Sequence, residues 1–156
     1  MLSIKKILTP VDFSTCSRAA LDHALTFAER FGATIDVLHV WDVPPSVHSS
    51  DMLFVNEGGD SESAESVVSS AAGREMNGFL HDVPAAKKGL IHARMEHGEP
   101  VPTILEVAAS GGYDLVVMGT HGRTGLSALL MGSVAEKVVR QATCPVMTVR
   151  AVEPES

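Results

Sequence analysis

Along this chain the spacing of apolar residues switches repeatedly between two periods, and that alternation limits the fold more than any other feature. "IKKILTPV" (Ile4–Val11) reads as a strand. After a polar break, Leu21, Ala24, Leu25 and Ala28 fall at i, i+3, i+4 and i+7, the face of a buried helix. Phe31-Gly32 closes that helix, because glycine tolerates the left-handed turn past a helix end. "TIDVLHV" (Thr34–Val40) is the second strand, rich in β-branched residues. In "LIHARME" (Leu90–Glu96), Ile91, Ala93 and Met95 share one face while His92, Arg94 and Glu96 share the other, as at a sheet edge. Val101, Ile104, Leu105 and Ala108 mark another helix. "DLVVMG" (Asp114–Gly119) is continuously apolar, which suits a strand covered on both faces. Ala135, Val138, Val139 and Ala142 give a last helix, and "PVMTVR" (Pro145–Arg150) a last strand.

Between Trp41 and Asp60, Pro44-Pro45 and Gly58-Gly59 break any regular element. A connection this long is expected to be mobile or functional, with Met52–Val55 as a short helix or lid. From Ser61 to about Val83 a helix is expected, its stripe being Met76, Phe79, Leu80 and Val83. The order is therefore βαβαβαβαβ. It predicts one open, doubly wound, five-stranded parallel α/β sheet with helices on both faces. At 156 residues the chain makes one domain, residues 1–150, followed by a frayed tail, residues 151–156.

In such a sheet ligands bind beyond the carboxyl ends of the strands, where the winding reverses. Two loops there carry chemistry: "TPVDFS" after the first strand, with Asp12, and "GTHGRTGLSALLMGS" (Gly119–Ser133) after the fourth. If both serve one site, strands one and four are neighbours and the order is 3-2-1-4-5. The flavodoxin-like order 2-1-3-4-5 satisfies the same alternation. The glycine loop is neither a P-loop nor a dinucleotide fingerprint; it reads Gly119-x2-Gly122-x9-Gly132-Ser133 and opens the last helix. A helix start offers free N–H groups and the positive dipole end to a phosphate, and Arg123 adds charge-assisted bonds. Ser133-x-x-Glu136 equally fits a capping box that needs no ligand.

These two stretches resemble the two halves of the universal stress protein family. The likeness is carried by "ILTPVDFSTCSRAALDHALTFAERFGATIDVLHV" and "DLVVMGTHGRTGLSALLMGSVAEKVVRQATCPVMTVR", and the region Trp41–Ala86 is variable. The family's ATP-binding branch carries G-x2-G-x9-G-[ST], and this sequence matches it without departure. The resemblance implies ATP as the ligand. Pro10, Val11 and Asp12 would line the nucleotide, Val40 would meet adenine through its backbone, and Met118 and Gly119 would flank base and ribose. Gly122, Arg123, Gly132, Ser133 and Val134 would cradle the phosphates. Asp12 would bond the ribose or help hold Mg²⁺, its alternative role being a cap on the first helix. A homodimer through the last strand, Pro145 to Arg150, would resemble the family's.

The remaining features narrow the function further. A net charge of −7 argues against nucleic acid and anionic membrane as partners. No stretch approaches the ~20 apolar residues of a membrane span. "MLSIKK" lacks the apolar core of a secretion signal, and Cys16 and Cys144 have no metal or redox spacing, so the cytoplasm is expected. The seven histidines include no H-E-x-x-H. His121 could touch phosphate or fix the loop through a backbone bond. Three functions stay open. They are a regulatory ATP-binding module of the stress response, a slow ATP hydrolase or phosphotransferase, and an interaction protein with no nucleotide role. The second ranks below the first, for no water-positioning residue stands beside a Walker-type aspartate.

Overall fold

The computed structural model describes residues 3–45, 53–55, 57–123 and 130–151. In chain order its elements are β1 (Lys6–Pro10), α1 (Thr15–Phe31), β2 (Thr34–Trp41), β3 (Leu53–Val55), β4 (Ser61–Ser63) and α2 (Ala64–His81). There follow α3 (Ala85–Lys88), β5 (Ile91–His97), α4 (Pro100–Ser110), β6 (Leu115–Gly119), α5 (Ser133–Gln141) and β7 (Val146–Val149). Five strands pair in parallel in the order β5-β2-β1-β6-β7. Numbered within the sheet alone, this is the expected 3-2-1-4-5, and the flavodoxin-like order is ruled out.

Strand alternation sends neighbouring residues into opposite layers. Ile7, Ile35, Val37, Leu115 and Val117 pack against Leu21, Ala24 and Ala28 of α1 and Met76 and Phe79 of α2. Leu8, Leu38, Val116 and Met118 point the other way, onto Ile104, Val107 and Ala108 of α4 and Ala135 and Val138 of α5. β1 and β6 are almost wholly buried, whereas β5, at the edge, is half exposed along its length. Ser14 caps α1 by accepting from the Ser17 N–H, and Gly32 ends it at φ 66°. Asp114 staples the chain's start to its last third: Oδ2 accepts from the N–H groups of Lys5 (2.7 Å) and Lys6 (3.0 Å).

Two expectations need correction. Leu53–Val55 forms not a short helix but a strand, paired antiparallel with Ser61–Ser63; Met52 lies outside the described residues. The helix expected from Ser61 therefore begins at Ala64, where the Ser63 hydroxyl accepts from the Ser66 N–H. Serine competes for helix backbone groups, so it serves better as the cap than as the first turn. Parts of the Trp41–Asp60 connection (46–52 and 56) and of the tail (152–156) lie outside the described residues, as do 124–129 of the glycine loop.

Candidate functional site

The winding reverses between β1 and β6, for β1 leads to β2 on one side while β6 leads to β7 on the other. Beyond their carboxyl ends lies a cleft of about 340 Å³. The structure brings all eleven sequence-predicted residues to its walls. Pro10, Val11 and Asp12 come from the end of β1, Val40 from β2, and Met118 and Gly119 from β6. Gly122 and Arg123 come from the loop, and Gly132, Ser133 and Val134 from the start of α5. On β2, Leu38 O accepts from Val11 N at 2.8 Å and Trp41 O accepts from Gly98 N at 2.9 Å, on the opposite side. Alternation thus turns the Val40 backbone toward the β1 side, past the point where β1 ends.

Sequence reasoning missed several wall residues. Pro100 and Ile104, on the first turns of α4, line the cleft, but their spacing is that of any buried helix face. His39 and Thr120 also line it. His39 Nδ1 donates to Val11 O at 2.9 Å, which fixes the ring against the strand end.

Asp12 ties the two loops together. Its Oδ1 accepts from Ser14 N (3.1 Å) and Ser17 Oγ (2.7 Å), and its Oδ2 from Arg123 N (3.1 Å). Arg123 Nε donates to the Asp12 carbonyl at 2.8 Å. Burial pushes the Asp12 carboxyl up, but the hydrogen bonds from Ser14, Ser17 and Arg123 outweigh it and hold the group below its ordinary value. Asp12 is therefore ionised at neutral pH. It does not cap α1, as the alternative reading had it, because Ser14 holds that position. Between them, Phe13 takes a left-handed φ of 66°, rare for a bulky residue, and its ring lies 4.3 Å from His39 and 5.5 Å from Phe79.

The capping box does not form. Gly132, not Ser133, is the N-cap of α5, and no side chain caps the helix. Gly132 N donates to Thr120 O at 2.7 Å, and its own carbonyl accepts the first helical bond, from Glu136 N at 3.0 Å. That tertiary bond sets the helix start one residue early and leaves the Ser133 side chain exposed inside the first turn. His121 takes the loop-fixing role. Its Nε2 donates to Leu130 O and its Nδ1 accepts from the Thr120 hydroxyl at 2.9 Å, closing the base of the loop.

The glycines also have a reason within the protein. None of Gly119, Gly122 and Gly132 has a positive φ, so each is favoured by close approach, not by dihedral. A Cβ on Gly119 would lie 2.7 Å from the Cys16 Cβ; one on Gly122, 2.5 Å from Asp12 Oδ2; one on Gly132, 3.0 Å from Thr120 O. Cys16 and Cys144 are free thiols, and among the described residues no three His, Cys, Asp or Glu side chains gather as a metal site.

The sequence matches the family model for the universal stress protein family over residues 3–150. A universal stress protein of Methanocaldococcus jannaschii is 37% identical over 154 residues, covering 97% of this chain and 85% of that one. A universal stress protein of Lactobacillus plantarum superposes with a TM-score of 0.74 at 22% identity, covering 94% and 98% of the two chains. A universal stress protein solved in complex with cAMP superposes with a TM-score of 0.64 at 19% identity, covering 96% and 99%. At those identities the two structures show a shared fold.

Proposed function

The chain belongs to the universal stress protein family, and on that premise we propose that it is a regulatory module of the stress response that binds an adenine nucleotide, ATP, in the cleft. The observation that carries this reading is the start of α5. A nine-residue helix opens on the cleft with no side-chain cap, and Ser133, Val134 and Ala135 of its first turn line the wall. Orphan N–H groups and the dipole at such a start suit an anion. The apolar side of the cleft (Val11, Val40, Ile104 and Met118) suits a flat base. A structural relative holds cAMP, which agrees with an adenine ligand. Asp12 is the one carboxylate of the described wall, so Mg²⁺ here would draw its remaining ligands from phosphate and water.

On this reading residues 1–150 are the nucleotide-binding domain, 151–156 a tail, and the free thiols suit the cytoplasm. Thermal unfolding tests the ligand. ATP with Mg²⁺ at a hundred times its Kd should stabilise the protein by about 2.7 kcal/mol. That amounts to a rise of about 5–10 °C. No shift at millimolar ATP would overturn the assignment.

The working unit on this reading is a homodimer through the last strand. β7 pairs with β6 on one side only and ends the sheet, and Val139 of α5 stands 43% exposed. Unpaired strand edges invite pairing, and antiparallel contact with a second β7 would close a two-fold interface. Light scattering at micromolar concentration should give the dimer mass; a strict monomer would count against it.

A further inference from the structure

Arg123 is the sole Lys or Arg of the described cleft wall, and it is committed elsewhere. Its Nε and Nη2 form the edge of the guanidinium that grips a carboxylate or phosphate in two-point fashion. Here Nε donates to the Asp12 carbonyl, and Nη2 donates to Glu75 Oε2 at 2.6 Å. Glu75 belongs to α2, on the opposite face of the sheet from α5, the helix that follows the glycine loop. The same guanidinium lies 5.6 Å from the Phe13 ring, which in turn meets Phe79 of α2. An ion pair and a ring contact thus join the loop to α2.

We propose that Glu75 is a positioning residue that competes with the nucleotide's phosphate for Arg123, so that phosphate binding releases the loop's hold on α2. This rests on the nucleotide reading above and goes beyond it by naming how occupancy reaches the rest of the molecule. Both partners are about half exposed, 58% for Arg123 and 51% for Glu75, so the pair is weak enough for a phosphate to replace. α2 also carries the β3–β4 hairpin, with Phe54 41% and Val55 71% exposed. A change in α2 would therefore be displayed on an apolar surface.

Titration calorimetry of the full chain with ATP and with adenosine tests this in wild type, Glu75→Gln, Arg123→Gln and the double variant. Glu75→Gln should tighten ATP about three-fold, as expected for losing an exposed competing pair. It should leave adenosine, which has no phosphate, unchanged. In the Arg123→Gln background the Glu75 change should do nothing, because the competition needs the guanidinium. A gain that persists in that background is plain charge repulsion and overturns the proposal, as does an equal gain for adenosine or a flat response to ATP. ATP binding to wild type with a flat Glu75→Gln response defeats this inference alone. Absence of ATP binding in all four proteins defeats the nucleotide reading with it.

Discussion

Ser133→Asp is expected to abolish nucleotide binding while raising the melting temperature of the ligand-free protein by about 1–3 °C. Ser133 is the first residue of α5 and its side chain is exposed, so the new carboxylate meets solvent and the positive end of the helix dipole. There a negative charge stabilises by about 0.3–1 kcal/mol. The same charge occupies the place proposed for phosphate. Losing two bonds to a charged group at ~1.5–3 kcal/mol each weakens binding roughly 100-fold or more, before repulsion is counted. Calorimetry and thermal unfolding of one variant read both effects. Wild-type ATP affinity in Ser133→Asp would remove phosphate from α5. Gly132→Val is a poorer probe of the same question. Its Cβ would stand 3.0 Å from Thr120 O, so lost binding could follow from a disturbed helix start.

Gly119→Val is expected to cost about 3 kcal/mol or more, at or above the upper end of ordinary overpacking. Its Cβ would lie 2.7 Å from the Cys16 Cβ and 2.9 Å from the Cys16 carbonyl carbon. The second contact is with the backbone of α1, which no rotamer change relieves. β6 and α1 would have to part where the end of the strand meets the first turn of the helix, at the cleft. Urea unfolding should show the midpoint falling well below wild type, with Gly119→Ala between. A Gly119→Val protein of wild-type stability would show that β6 and α1 have room to separate.

These outcomes bear on what the sequence can and cannot express. β6 was legible because burial on both faces demands an unbroken apolar run, and β2 because its β-branched residues mark a strand; the order of the strands followed from asking two loops to serve one site. Asp12 and the glycine loop followed for the same reason, since the ends of adjacent parallel strands must lie together; Pro10, Val11, Val40, Met118 and Val134 were named only by the resemblance to the family. The β3–β4 hairpin was not legible: Ser61-Glu62-Ser63 has neither alternation nor β-branched residues, and only its partner makes it a strand. The start of α5 was misread by one residue because Ser-x-x-Glu is a sound local signal overruled by a bond from Gly132 to Thr120. Nothing about a phenylalanine announces the left-handed backbone of Phe13. Glu75 was invisible for a different reason: it sits on a helix of the variable region, and its partner is 48 residues away.

The central position of β1 has a consequence for synthesis. One side of this strand finds β2 soon after both leave the ribosome, but the other side waits for β6. The staple between Lys6 and Asp114 closes a separation of 108 residues. At ordinary elongation rates that is a wait of about 5–20 s. Throughout it the nascent chain presents an open strand edge beside the apolar faces of Ile7 and Leu8, the surface to which holding chaperones bind. A protein whose relatives are named for stress thus carries, in its own topology, a long interval of vulnerability before it is complete.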